Sequence, residues 1–358
     1  MQIKMINFLK NRKENGIFRE LKHQNVEKFI DFTHNSYLNL HKHFQVINKS
    51  IEYINKYGTS FTSSPLLGNG KLYEELENII LKTKKQESAL IFVSGYQLNS
   101  TVIPAILAIE DDPLIFCDKE IHTSIHHGIK LSQNKQIRYK NCDLNHLEFF
   151  LKQYQNDKRQ KFVFTESVFS MSGSVLNMDD FMFLKRKYGF FAYIDEAHSI
   201  GIFGNNGEGL TSKFGQEIEI SMGTLSKAVA SQGGYLVTNK LIKEYLINTC
   251  SGLIYSTGLA PSSIGASIAS FELFPSLKKE REIIFQNVQI IKNKLIGYNF
   301  GNSQSQIIQV IFQSIEDAEI CLKYLKTQGI LTSLIRYPTF SRPMLRISVN
   351  CSTILDKH

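Results

Sequence analysis

The chain is 358 residues long, with 41 Lys+Arg against 33 Asp+Glu, a formal charge of +8, and 42% hydrophobic against 21% charged residues. That length fits one large domain or two modest ones with a sizeable core. The balance excludes a disordered chain, a collagen, a membrane channel and a disulfide mini-protein. Cys117, Cys142, Cys250, Cys321 and Cys351 are scattered and form no C-x-x-C pair, so buried free thiols are expected rather than a disulfide framework or a zinc site. The longest uncharged window, 245–271, carries Asn248, Ser251, Ser256, Thr257 and Pro261, which hydrocarbon tolerates poorly, so no membrane partner is expected. Lys4 and Lys10 interrupt the first residues before a signal-like apolar core can form, which points to a cytoplasmic protein.

In chain order, short apolar runs alternate with longer amphipathic stretches from Ala89 to Val237. The strand candidates are 89–93, 114–117, 161–165, 190–194, 218–222 and 234–238, most of them apolar on both faces as doubly covered strands are. Helices are expected near 97–109, 123–133, 143–155 and 179–188, the last opening on Asp179 and Asp180. After Pro261 two long helical stretches (262–274 and 278–296) lead into 306–312, a helix near 315–328, and apolar runs at 330–335 and 344–350. The fold class is therefore α/β, a mostly parallel sheet followed by a smaller α+β region. We expect an N-terminal segment over 1–50, a large domain over 51–270 and a small C-terminal domain over 271–358.

Ligands of open α/β sheets bind beyond the carboxyl ends of the strands. The residues just after each run are Ser94-Gly95-Tyr96, Asp118 and His122, Glu166 and Ser170, Asp195-Glu196-Ala197-His198, and Gly223-Thr224-Leu225-Ser226-Lys227. Taken singly, Asp195 reads as a helix cap and Lys227 as a solvated lysine. Small residues flank Lys227 on both sides, Gly223 and Thr224 before it and Gly233-Gly234 after it, and make a tight pocket. A desolvated lysine amine joins an aldehyde, and a carboxylate nearby keeps a pyridine nitrogen protonated, the requirements of pyridoxal 5'-phosphate. Backbone N–H groups of Gly95 and Tyr96 at a helix start offer a place for the phosphate, and His122 suits stacking on the ring. Two other readings fail. Asp-Glu-Ala-His as a nucleotide-hydrolysing box needs a phosphate loop that 64-SPLLGNGKL-72 does not supply, and zinc at His122, His126 and His127 has no H-E-x-x-H or nearby Cys.

These residues resemble the α-oxoamine synthases, pyridoxal-phosphate-dependent transferases of fold type I. The resemblance runs through 35-NSYLNL-40, 94-SGYQLN-99, 118-DKEIHTSI-125, 165-TESVFSMSG-173, 194-IDEAHSIGIFGNNGEGL-210, 222-MGTLSKA-228, 254-IYSTGLAP-261, 335-IRYPTF-340 and 345-LRIS-348. It implies a large domain with a mostly parallel sheet and a smaller C-terminal α+β domain. It further implies that Lys227 joins the cofactor aldehyde, Asp195 pairs with the pyridine nitrogen, and His198 and Ser170 reach the ring hydroxyl. His122 would stack on the ring, Gly95, Tyr96 and Thr224 would serve the phosphate, and Thr257 would reach the phosphate in the neighbouring subunit of a homodimer. Arg346 and Asn35 would hold the amino-acid carboxylate, and Arg19 and Thr339 would meet the substrate.

The Ser-Lys-Ala form of the lysine motif with Gly233-Gly234-Tyr235 resembles the branch that condenses L-alanine with a pimeloyl thioester, on coenzyme A or acyl-carrier protein, to 8-amino-7-oxononanoate for biotin. The alternative in the family is glycine with acetyl-CoA, or another acyl chain. A non-catalytic basic scaffold is the competing class, but no clustered Lys/Arg tract or nucleic-acid motif supports it. Departures from the family pattern are Phe61, Thr62 and Ser64 in place of small glycines, Ser172 and Ser174 in place of Asp, a shorter 339–346 segment, and an end at His358 before the family's last helix. The bulkier 58–70 loop is expected to narrow the acyl channel or change its preference, and these departures together to lower stability or activity.

Overall fold

The computed structural model describes residues 1–21, 26, 28–68 and 70–352. In chain order the first half comprises α1 (Gln2–Glu14), β1 (Ile30–Asp31), α2 (Phe44–Tyr57), α3 (Gly70–Lys84), β2 (Ser88–Phe92), α4 (Gly95–Leu107), β3 (Leu114–Asp118), α5 (Thr123–Leu131), β4 (Gln136–Tyr139), α6 (Leu144–Gln153), β5 (Lys161–Glu166) and α7 (Met178–Tyr188). The second half comprises β6 (Phe191–Asp195), β7 (Ile220–Thr224), β8 (Gly234–Thr238), α8 (Lys240–Thr249), α9 (Ser251–Ile254), α10 (Pro261–Leu273), α11 (Lys278–Lys294), β9 (Ile307–Ile311), α12 (Ile315–Thr327), β10 (Ile330–Leu331), β11 (Ser333–Ile335) and β12 (Met344–Ser348). No helix among the described residues is long and apolar enough to cross a membrane.

The chain forms two compact units. The larger holds Asn35–Ile296, Asn302–Ile308 and the chain from Val349; the smaller holds Met1–His34, Gly297–Gly301 and Gln309–Ser348. In the larger unit a seven-stranded sheet runs in the order β2-β8-β7-β6-β5-β3-β4. Strands β7, β6, β5, β3 and β4 are mutually parallel, and β8 is antiparallel to both of its neighbours. Every residue of β2, β3, β7 and β8 is buried, as expected of strands covered on both faces. One core packs Val102, Ile103 and Ile106 of α4 and Leu246 of α8 on Phe162, Phe164 and Leu236; the other packs Leu147 and Leu151 of α6 and Phe181 and Met182 of α7 on Val163 and Ile194. Each such side chain contributes about 1.5–3 kcal/mol by leaving water.

Local chemistry sets the element ends. In α7, Asn177 caps the start by accepting from the Asp180 N–H, Asp179 and Asp180 sit in the first turn, Lys185, Arg186 and Lys187 in the last, and Gly189 ends the helix at φ 64°. The sequence pattern missed β4, a short edge strand of which only Tyr139 is buried. It also merged β10 and β11 into one run.

The observed units part at 34/35 and 296/297 rather than at 50 and 270. Helix α10 belongs to the larger unit because it packs on α2: a Cβ on Gly265 would lie 2.6 Å from the Lys49 carbonyl oxygen. Helix α11 is tied there through Arg281, which donates to the carbonyls of Phe274 (2.7 Å) and Asn205 (2.8 Å). In the smaller unit β1 pairs in parallel with β10, Ile30 opposite Ile330, which draws the N-terminal residues into it. A three-stranded sheet in the order β11-β12-β9 completes it, β9 entering from Gln309 onward.

Candidate active site

The parallel strands β3, β5, β6 and β7 deliver Asp118, Glu166, Asp195 and Thr224 to one edge of the larger unit's sheet. There a cavity of about 230 Å³ is lined by Gly95, Tyr96, His122, Ser170, Asp195, His198, Thr224 and Lys227, together with Ser94, Asn99, Ser124, Glu166, Ala197, Met222 and Ser226. Eight residues singled out from the sequence thus share one enclosure.

At the floor, Asp195 Oδ1 accepts from the Ala197 N–H (2.9 Å) and Oδ2 from Asn99 Nδ2 (3.2 Å). Asn99 Nδ2 also donates to Ser124 Oγ at 2.9 Å, and Ser124 Oγ lies 2.7 Å from His122 Nδ1. One amide therefore joins the carboxylate to the imidazole. Burial pushes the His122 imidazole below its ordinary value, against the opposing pull of Asp195, so a neutral ring is favoured. The His122 N–H donates to Glu166 Oε1 and the Ser170 N–H to Oε2 at 3.3 Å. Burial pushes the Glu166 carboxyl well above the usual carboxylate range, Asp195 adds to that, and Lys227 opposes it. Asp118, raised by burial to about 6 against the N–H groups of Glu120 and Cys142, fixes the turn that leads to His122.

At the far wall, Lys227 Nζ lies 2.7 Å from His198 Nε2, and His198 Nδ1 lies 2.7 Å from the Tyr37 hydroxyl. Ser94 caps α4 by accepting from the Gln97 N–H, which leaves the first N–H groups of the helix at the cavity. Thr224 Oγ1 stands 2.9 Å from Ser226 Oγ, so two hydroxyls flank that helix start. Close backbone approach is built in: a Cβ on Gly234 would lie 2.9 Å from the Gly95 nitrogen.

Pyridoxal phosphate fits this set of groups. A buried carboxylate, a lysine amine, a flanking imidazole, and a helix N-terminus with two hydroxyls are the kinds of group that could hold its pyridine nitrogen, aldehyde, ring face and phosphate in turn.

The remaining predicted residues lie elsewhere. Thr257 is exposed and does not line the cavity. Asn35 accepts from the Tyr37 hydroxyl at 3.1 Å. In the smaller unit, Arg19 donates to Thr339 Oγ1 at 3.4 Å, and both line a groove of about 930 Å³ with Lys323 and Arg336. Arg346 lies buried in β12 of the same unit and donates to Ser348 Oγ at 2.5 Å. His126 and His127 pair with Gln136 and Tyr96.

Sequence reasoning missed Tyr37, Asn99, Ser124 and the buried pair Lys84–Glu196. The Asn99 signal was present, since residue 99 lies four places after Gly95 and so on its helix face. Glu196 binds Lys84 Nζ and accepts from the N–H groups of Leu210 (2.6 Å) and Thr211 (2.9 Å). Burial pushes the Glu196 carboxyl up, but Lys84 and Thr211 outweigh it and hold it below its ordinary value. The Glu196 cluster pins the loop that follows Asp195.

Known proteins resemble this chain along most of its length. The model of the family "Aminotransferase class I and II" matches residues 27–355. The 8-amino-7-oxononanoate synthase of Gluconacetobacter diazotrophicus is 34% identical over 336 residues, 92% of this chain and 84% of that one. The crystal structure of 8-amino-7-oxononanoate synthase from Francisella tularensis superposes with a TM-score of 0.78 at 28% identity, over 91% of this chain and 93% of that one. Serine palmitoyltransferase from S. paucimobilis shares the fold, with a TM-score of 0.88 at 22% identity over 98% of this chain and 92% of that one. The chain belongs to the aminotransferase class I and II family of pyridoxal-phosphate-dependent enzymes and, within it, to the α-oxoamine synthases.

Proposed function

We propose that the protein condenses L-alanine with a pimeloyl thioester, carried by coenzyme A or acyl-carrier protein, to give 8-amino-7-oxononanoate, carbon dioxide and the free thiol. The reading is carried by Lys227, Asp195, His122 and His198 lining one small cavity, and it draws on the names of the relatives above.

When bound, pyridoxal phosphate supplies a protonated ring that accepts the electron pair released at the amino-acid Cα. Asp195 would hold the proton at the ring nitrogen. His122 would flank the ring, Ser170 and His198 would meet the ring hydroxyl, and Gly95, Tyr96 and Thr224 would hold the phosphate through the α4 N-terminus and hydroxyl groups. Lys227 Nζ removes the Cα proton. The amino-acid Cα would then bond to the thioester carbonyl carbon as the carbon–sulfur bond breaks and the thiol leaves. Loss of the carboxyl as carbon dioxide and return of a proton to Cα complete the balance. Arg346 and Asn35 hold the amino-acid carboxylate, and Arg19 and Thr339 meet the acyl substrate.

The protein acts as a homodimer in this reading, with Thr257 reaching the partner's cofactor phosphate. Support comes from Phe44, Ile47, Ile51 and Ile54, an exposed apolar stripe on α2 at helical spacing. The test is thiol and carbon dioxide release by the loaded protein given L-alanine or glycine with pimeloyl-CoA or acetyl-CoA. Release with L-alanine is expected; a preference for glycine with acetyl-CoA assigns the alternative chemistry instead.

A further inference from the structure

Tyr37 is 1% exposed, and its hydroxyl sits between Asn35 Oδ1 at 3.1 Å and His198 Nδ1 at 2.7 Å. A phenol carries one proton, and the Tyr37 proton is directed at Asn35 Oδ1, an acceptor only. The hydroxyl oxygen then faces Nδ1 with its lone pairs, so the hydrogen between Tyr37 and His198 belongs to Nδ1. A neutral imidazole carries one N–H, which leaves Nε2 as an acceptor. Lys227 Nζ, 2.7 Å from Nε2, is the donor that completes the series. Lys227 donates to His198, His198 to Tyr37, and Tyr37 to Asn35.

We propose that Tyr37 is a positioning residue that holds His198 in its Nδ1–H form, so that in the cofactor-free protein Nε2 meets Lys227 as an acceptor. Tyr37 does not line the cavity, so it acts through the imidazole. Backbone bonds hold both partners in place: the Cys351 N–H donates to the Tyr37 carbonyl at 2.9 Å, and Gln306 Nε2 donates to the His198 carbonyl at 2.7 Å. The two rings cross at 56° with centroids 6.2 Å apart, which fits an in-plane bond to Nδ1 and excludes stacking. A histidine in the other tautomer would turn an N–H toward the lysine and set two donors against each other. The same acceptor keeps the Lys227 amine aimed while it carries a proton. The second statement rests on the reading of Lys227 given above; the tautomer does not.

The experiment is a long-range ¹H–¹⁵N correlation spectrum of cofactor-free protein with ¹⁵N-labelled histidine rings, His198 being assigned by its absence from His198→Gln. Wild type is expected to show Nδ1–H. Tyr37→Phe, which keeps the ring and removes the acceptor, is expected to move His198 to Nε2–H or to a mixture. Nε2–H in wild type, or unchanged Nδ1–H in Tyr37→Phe, would overturn the proposal. The wild-type spectrum decides even if the variant does not fold. In loaded protein, Tyr37→Phe is expected to slow exchange of the L-alanine Cα hydrogen with deuterated water by about tenfold at equal cofactor content, a small share of the 10²–10⁴ that acid–base groups supply. An unchanged exchange rate would overturn the catalytic part. Because the tautomer is read without cofactor or substrate, its failure leaves the condensation reading standing, and failure of that reading leaves the tautomer standing.

Discussion

Glu166 and Asp195 face each other as register partners on the parallel strands β5 and β6, so two buried carboxyls line one cavity. Two adjacent carboxylates away from water cannot both ionise cheaply. Asp195 accepts from an amide side chain and a backbone N–H, and the Glu166 carboxyl is pushed upward by burial and then by Asp195, against the pull of Lys227.

Because the folded-state value of Glu166 is raised, the stability it contributes is fully present below the ordinary glutamate range and is lost as the pH rises through the folded value. Glu166→Gln has no such proton to lose. In denaturation of cofactor-free protein across pH, the advantage of wild type over the variant should shrink as pH rises, by at most about 1.4 kcal/mol per pH unit. A difference that stays flat with pH contradicts an upward shift of Glu166.

Lys84→Met should destabilise the fold by about 3–5 kcal/mol, because it leaves Glu196 charged and buried without its cation. Urea denaturation measures this directly. A loss under about 1 kcal/mol, the scale of an exposed ion pair, would mean that the backbone donors and hydroxyl groups around Glu196 suffice by themselves.

Gly234→Ala would drive a methyl group against the Gly95 nitrogen, at the helix start read here as the phosphate seat. Overpacking of this kind costs about 1–3 kcal/mol, and the strain falls on the α4 N-terminus. Titration of cofactor-free protein with pyridoxal phosphate should show weaker binding by about tenfold, equal to about 1.4 kcal/mol. Unaltered affinity in a folded variant would remove that helix start from the phosphate site.

The sheet was legible because its strands are apolar on both faces and bounded by small and polar residues; six of the seven could be found that way. The seventh, β4, lies at the edge, where Arg138 faces solvent and the apolar run is too short to stand out. The cavity residues that follow a strand directly, such as Asp195 and Thr224, were legible through the strand-end rule. Tyr37 was not, because it reaches His198 across 161 residues of chain and no local period records such a meeting; for Asn99 the helix period shows the face shared with Gly95 but not its partner Asp195, 96 residues away. The boundary near 270 failed for a related reason: the small-residue face of α10 signals a helix but not that α2 is its partner.

The lysine that takes the cofactor is found by loading the protein with pyridoxal phosphate, reducing it with borohydride, and locating the label by peptide mass spectrometry. Reduction makes the bond between a lysine amine and the cofactor aldehyde permanent. One labelled peptide, carrying Lys227, is expected, with loss of that label in Lys227→Ala. A label on Lys84 or a surface lysine, with Lys227 unmodified, would contradict it.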